Sequence, residues 1–283
     1  MPEISIIICS RNNSITEEFR KNIDETIGCD YQLVIVDNSQ NNYSIFEAYN
    51  IGIDQSTADI LCFVHDDILF HSENWGKKLK ELFKNHPEFG LIGIAGSKIK
   101  TKTTSGWWDC QGDNMLVQII QRFPNGVKEH QHYGFEGSTF EEAVVVDGVF
   151  MALKKEIDYY FPTYITGFHG YDLILSFDVI INGYKIGVTD EILLEHFSIG
   201  NPNYGWLINV DKIHTLYKKI LPLKTSTGNM AGEELENCER ILNLSYQLKK
   251  WKLFSKYWCR LLLLKPEIKL HYRIFNKLRY GTK

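Results

Sequence analysis

Three short apolar runs, each stopped by a polar cluster, constrain this chain more than any other feature. Ile4–Cys9 is a run dominated by β-branched residues, ended by Ser10, Arg11, Asn12 and Asn13. Leu33–Val36 stops at Asp37, Asn38 and Ser39, and Ile60–Val64 stops at His65, Asp66 and Asp67. Short continuous apolar runs of this kind suit strands covered on both faces of a parallel sheet. Helical patterns separate them: Thr16–Thr26, with Thr16 as N-cap and acidic residues in the first turn, and Ile45–Asp54. A further helix over Trp75–Asn85 leads to a strand over Leu91–Ala95. Strand and helix alternating at short intervals predict an α/β fold with right-handed crossovers. Open α/β sheets bind ligands outside the carboxyl ends of their strands. The three polar clusters are therefore expected to converge on one crevice.

The 283 residues, 44% of them hydrophobic, can bury a full core and suit one large α/β domain or such a domain with an appendage. From Ile99 to Ala143 the pattern changes to Gly, Trp, Phe, His and Gln without clean periodicity, which predicts an irregular insertion near the site. Val144–Val146 resumes a buried strand, ended by Asp147 and Gly148 and continued over Phe150–Leu153. Thr166–Gly170 reads as a loop and Tyr171–Asn182 as a helix closed by Gly183. Short strands over Lys185–Val188 and Ile192–Leu194 follow, and after Asp211 the pattern is helical, interrupted by Thr225–Gly232 and by Pro266.

Charge is unevenly placed. From Tyr246 onward Glu267 is the one acidic residue against eleven Lys and Arg, so the rest of a chain of net charge −4 is clearly acidic. Six cysteines lie at 9, 29, 62, 110, 238 and 259 without a CxxC pair, which reads as a reducing compartment and no disulfide framework. No secretion-signal pattern and no stretch of about 18 apolar residues is visible, so a cytoplasmic protein is expected.

Asp66 and Asp67 are adjacent carboxylates on a turn after a buried strand. Two anions this close repel unless a cation or hydrogen-bond donors neutralise them. Mg²⁺ and Mn²⁺ favour carboxylate oxygens and share them with substrate phosphates. The alternative is a solvated turn.

At this point the sequence resembles a family. The segments Ile4–Asn12, Leu33–Ser39 and Ala58–Asp67 resemble, in order and spacing, the donor half of family 2 glycosyltransferases of GT-A fold. Val146–Met151, Gly170–Asp172 and Leu194–Ser198 look like the acceptor half, so the resemblance covers about Ile4–Gly200. It implies a mostly parallel, Rossmann-like sheet flanked by helices, with residues 1–220 as the transferase domain. Within it, 1–98 would be the nucleotide-donor half and 99–220 the acceptor half, and 221–283 a basic, aromatic-rich helical extension.

By the same resemblance Ser10, Arg11 and Asn12 embrace the nucleotide, and Asp37 accepts from the base edge, unless it merely caps an Asx-turn. Asn50 and Gly52 match a helix facing the nucleotide, although helix packing alone accounts for them. His65-Asp66-Asp67 occupies the family's DxD position, with His replacing the first carboxylate. Asp67 is thereby assigned to Mn²⁺ or Mg²⁺ and Asp66 to the nucleotide-sugar region or to support, with His65 left to orient a metal ligand or to a structural role. His196 matches a second metal ligand, or else a buried structural histidine.

Sugar transfer from a nucleotide diphosphate needs charge stabilisation on the leaving group and a base for the acceptor hydroxyl. Asp172 matches the family's base, His169 is its backup, and Asp147 matches a sugar-binding position. Trp107, Trp108, Tyr133 and Phe135 offer rings for the acceptor pocket or for ordinary packing. The implied activity is inverting transfer from a nucleotide sugar, a UDP-sugar favoured, to a glycan or lipid-linked acceptor in polysaccharide assembly.

The aromatic, lysine-rich helix Leu248–Leu264 and its continuation Ile268–Leu278 suit docking on an anionic inner membrane face or packing on the body. Nucleic acid is not expected, because the basic stretch is short and the body acidic. Two other readings remain open: a nucleotidyltransferase, which would normally carry a Gly-rich basic loop after the first strand, and a non-catalytic nucleotide-sugar-binding module.

Overall fold

The computed structural model describes residues 2–200 and 202–280, with side chains left undescribed at 270 and 277–280. Lys283, part of the basic tail, lies outside the described residues.

The chain begins β1 (Ile4–Ser10), α1 (Glu17–Thr26), β2 (Tyr31–Asp37), α2 (Ile45–Gln55), β3 (Ile60–Val64). Strand β1 lies between parallel neighbours β2 and β3 and is buried on both faces, which explains its almost wholly apolar run. Ile7 faces one core cluster while Ile4, Ile6 and Ile8 face the other, and all four are fully buried. Local signals set the helix starts. Thr16 Oγ1 accepts from the Phe19 N–H, and Ser44 with Glu47 forms a reciprocal capping box at α2.

Next come β4 (Ile68–Phe70), α3 (Trp75–Asn85), β5 (Phe89–Gly93), β6 (Ala95–Ser97), β7 (Ile99–Lys100), β8 (Met115–Arg122) and β9 (Lys128–Tyr133). They lead to β10 (Phe140–Ala143), β11 (Val145–Val146), β12 (Phe150–Lys154), α4 (Tyr171–Ile181), β13 (Lys185–Thr189) and β14 (Leu194–His196). The chain ends α5 (Tyr204–Leu216), β15 (Leu223–Lys224), α6 (Glu233–Gln247), α7 (Trp251–Leu264) and α8 (Ile268–Tyr280).

The main sheet has the order β10-β13-β5-β12-β3-β1-β2. It is mixed, which corrects the expected mostly parallel sheet. Strand β12 runs antiparallel to both β3 and β5, and β10 antiparallel to β13. The turn at Asp147 and Gly148 sends the chain back between β3 and β5, and an apolar run carries no signal of its own direction. A second sheet, β11-β6-β8-β14-β4 with β9 paired to β8, occupies much of the expected irregular insertion. The β8–β9 hairpin closes through a Phe123 N–H bond to Val127 O, with Gly126 at φ 82°.

Helices α6 and α7 pack into the cluster that contains Ile7, through Cys238, Ile241, Leu242, Phe254, Tyr257 and Leu261. Phe254 and Tyr257 of the aromatic stripe are thus buried, while Trp251 is 53% exposed. The N-terminus of α6 also fixes the loop after β7. Glu234 accepts from the Lys102 and Thr103 N–H groups, and Glu233 from those of Gln111 and the Asn114 amide. Buried Lys100 donates from Nζ to the carbonyls of Ser105 and Gly106, and burial pushes its ammonium down to about 8. All six cysteines are free, and no helix among the described residues is long and apolar enough to cross a membrane.

Candidate active site

The polar ends of β1 and β3 meet as the sequence predicts. The Arg11 backbone N–H and guanidinium Nε and Nη2 all donate to the Asp66 carboxylate, at 2.8, 3.1 and 2.7 Å. Nη2 also lies 3.1 Å from Asp67 Oδ2. The adjacent carboxylates thus share one guanidinium, whose own pKa is raised, first by its hydrogen bonds to Asp66.

Asp67 presents its other oxygen to two imidazoles. Oδ1 is 3.8 Å from His65 Nδ1 and 3.6 Å from His196 Nε2, and those two nitrogens are 3.3 Å apart. Burial alone would raise the Asp67 carboxyl, but the imidazoles of His196 and then His65 beside it hold it below the usual range. One ligand atom from each of the three residues lies within 4.8 Å of the others. The remaining ring nitrogens have partners: His65 Nε2 is 2.7 Å from Tyr171 Oη, and His196 Nδ1 is 3.4 Å from Gln121 Oε1. The tautomer with its proton on Nε2, toward Tyr171 Oη, leaves the His65 Nδ1 lone pair facing the group. Orientation of this kind is typical of imidazoles that ligate a metal. Two nitrogens and a carboxylate oxygen suit a divalent ion of the Mn²⁺ type better than Ca²⁺, so the donor set fits a metal. Gly148 makes the Tyr171 approach possible, since a Cβ there would sit 2.2 Å from Tyr171 Oη.

Arg11, His65, Asp66, Asp67, Gly148 and Tyr171 open on a cavity of about 500 Å³, bounded also by Ser10, Asn38, Ser39, Trp108, Asp147 and Trp206. Asp172 lines it from the first turn of α4, half-buried. Burial, then the charge of Asp147, pushes its carboxyl up to about 7, against the opposing pull of the Leu173 N–H. His169 lines the same wall, and burial lowers its pKa.

Residues 5–218 match the family described as "Glycosyltransferase like family". That span is most of the chain and holds every residue of the cleft. The chain belongs to this family.

This glycosyltransferase has an α/β fold, with mixed sheets flanked by helices and a helical C-terminal region. Membership decides for glycosyl transfer over the nucleotidyl-transfer and binding-only readings. No curated protein matches the chain. Among solved structures it is similar to A197 from STIV, at 11% identity and a TM-score of 0.42, over 70% of this chain and 86% of that one. It is also similar to GalNAc-T7, whose structure contains UDP, GalNAc and Mn²⁺, at 10% identity and a TM-score of 0.42. That match covers 71% of this chain, which spans 45% of the GalNAc-T7 chain.

Of the residues singled out in the sequence, Ser10, Arg11, Asp66, Asp67, Asp147, His169 and Asp172 line the cleft, and His196, on β14, joins His65 and Asp67 from behind that lining. Others lie outside its lining. Asn12 is exposed and donates its N–H to Ser10 Oγ. Asp37, also exposed, accepts from the Ser39 N–H at 2.9 Å, the Asx-turn arrangement, while Asn38 and Ser39 face the cavity. Asn50 exchanges two hydrogen bonds with the Phe161 backbone, and Gly52 packs so closely that a Cβ would meet Ile7 at 2.2 Å. Trp107 packs between the two core clusters, and its neighbour Trp108 is the ring on the cleft. Tyr171 and Trp206 of the cleft, and Gln121 beside His196, were not singled out. Tyr171 was open to notice as the residue between Gly170 and Asp172. Gln121 and Trp206 carry no local signal.

Proposed function

We propose that this glycosyltransferase transfers a sugar from a nucleotide diphosphate, a UDP-sugar in particular, to a hydroxyl of a glycan or lipid-linked acceptor, with inversion. The observation that carries the reading is convergence: His65 and Asp67, grouped with His196, line one cavity together with Asp172. Residues 1–98 then supply the donor side and 99–220 the acceptor side. Ser10 and Arg11 border the nucleotide, with Asp66 holding the Arg11 loop in place. His65, Asp67 and His196 would hold Mn²⁺ or Mg²⁺, which when bound offsets charge on the departing diphosphate. Asp172 takes the proton of the acceptor hydroxyl as that oxygen attacks, and a carboxyl near neutrality suits this role. His169 stands beside it, and Asp147 raises the basicity of Asp172 through its charge.

A thermal-shift screen of UDP-, GDP- and dTDP-sugars with and without Mn²⁺ tests the donor assignment. The expected result is a metal-dependent rise in Tm for UDP-sugars, since a ligand bound only by the native state stabilises it. No shift with any nucleotide sugar overturns the reading. Inversion is read independently from the anomeric configuration of the product by NMR.

The proposed setting is polysaccharide assembly at the cytoplasmic face of a membrane, contacted through residues 246–283. Leu263 is 86% exposed, Ile268 84% and Tyr272 64%, within a lysine-rich segment. Apolar side chains between basic ones suit an anionic bilayer surface. Co-sedimentation with liposomes is expected to rise with phosphatidylserine content, and a flat response rejects the contact.

A further inference from the structure

The catalytic cleft shares a wall with a second cavity. Trp108 and Trp206 line both, and beyond them lies a space of about 310 Å³ closed by α6. That volume is at the lower end of the range for small-molecule sites, about 300–1,000 Å³. The two indoles lie with ring centroids 5.7 Å apart and planes tilted by 32°. Across from them α6 presents Arg240, Asn243, Leu244 and Gln247, spaced as one helical stripe.

The chemistry of this space differs from that of the cleft. Its one carboxylate, Asp109, is buried and already satisfied by the Gly106 N–H and by the Arg240 guanidinium. Arg240 is thereby neutralised. Asn243 and Gln247 are exposed and make no side-chain hydrogen bond among the described residues. What remains is an aromatic wall facing free amides without net charge. Such a site suits a neutral ring with one apolar face and a rim of hydroxyls, and suits a phosphate or a cation poorly.

The walls are also fixed in advance. Lys100 holds the carbonyls of the Trp108 loop, Glu233 and Glu234 hold its backbone N–H groups, and Asn237 donates to Asp109 O. Preorganised groups lose little freedom when a ligand arrives.

We propose that this cavity is a subsite for the next sugar residue of a saccharide acceptor, whose reacting hydroxyl lies at Asp172 on the near side of the tryptophan wall. The acceptor is then an oligosaccharide, read over at least two residues, and α6 of the C-terminal region contributes to its recognition. This rests on the transfer reading given above.

A glycan array of defined mono- to tetrasaccharides, probed with the full chain with and without UDP and Mn²⁺, tests it. Binding is expected to strengthen about 10-fold or more from a monosaccharide to the oligosaccharides that end in it. The double variant Asn243→Ala/Gln247→Ala is expected to lose about that factor through two deleted hydrogen-bonding amides. Both positions are exposed on a helix, so its Tm and UDP affinity should match the wild type. Asn243→Trp, which fills the space, should abolish the length dependence. Affinity independent of saccharide length, full retention of the gain in the variants, or no saccharide bound at all overturns the subsite. A wild type that fails to bind UDP with Mn²⁺ sinks the donor assignment instead, and the nucleotide-free arm still reads the subsite.

Discussion

Asp172→Asn is expected to lower the rate of sugar transfer by about 10²- to 10⁴-fold, the range lost with a positioned general base, while the affinity for the nucleotide sugar stays within a few-fold. The amide keeps the shape of the side chain and its place at the start of α4, but cannot take the acceptor proton. In the wild type the carboxyl is pushed up to about 7, by burial first and by Asp147 second. The rate should therefore rise with pH up to about 7 and level off above it, a limb absent from the variant. Asp147→Asn removes one of the raising influences and should move the limb to lower pH. Stability carries the opposite sign. A carboxyl whose pKa is raised by folding binds its proton more tightly in the native state, so stability falls as pH climbs from about 4 to about 7. The variant should consequently melt above the wild type at pH 8 and close to it at pH 4. A variant that keeps wild-type turnover, or a wild-type profile flat from pH 5 to 8, removes Asp172 as the base.

How much of this was legible in the sequence depended on burial. Strand β1 was readable because a core cluster covers each of its faces, leaving Ser5 as the one polar side chain in Ile4–Cys9. The clusters at its end and at the end of β3 were readable for the complementary reason: polar side chains return where the sheet stops. Strand β9 was not, because its residues Lys128–Tyr133 are almost all exposed and show no apolar alternation. The Asn125-Gly126 turn was the one available sign of that hairpin. Direction was hidden in β12, since a fully buried strand looks alike parallel or antiparallel. Asn50 and Gly52 serve the packing of α2, the alternative that the motif left open beside nucleotide contact. Trp107 and Trp108 differ by one position in a loop without periodicity, so only the fold decides which ring meets the cleft. The amphipathic pattern of α7 was equally open to a membrane or to a core, and Phe254, Tyr257 and Leu261 went to the core. His65 departed from the resemblance and was assigned no ligand role. Its place beside His196, on a strand 131 residues later in sequence, is a product of the β4–β14 pairing.

Asp67→Ala should remove the metal dependence of donor binding, with a loss of at least about 10²-fold in Mn²⁺ affinity, since even indirect supports of a metal site cost 10- to 100-fold. Asp67 is the one carboxylate facing both imidazoles, at 3.8 and 3.6 Å. Without it two imidazoles remain, and hard divalent ions bind such a pair weakly. Asp66→Ala is expected to fail differently. Asp66 takes the Arg11 backbone N–H and a bidentate pair from its guanidinium, so its loss frees the loop after β1. That variant should lose nucleotide-sugar binding with and without metal. Asp67→Ala should keep the metal-free remainder, because the Arg11–Asp66 pair survives. Calorimetric titration of Mn²⁺, followed by the nucleotide sugar, separates the two patterns. Equal behaviour of the two variants, or Mn²⁺ affinity unchanged in Asp67→Ala, would remove the group of His65, Asp67 and His196 from metal binding. The carboxylate pair would then serve the Arg11 loop alone.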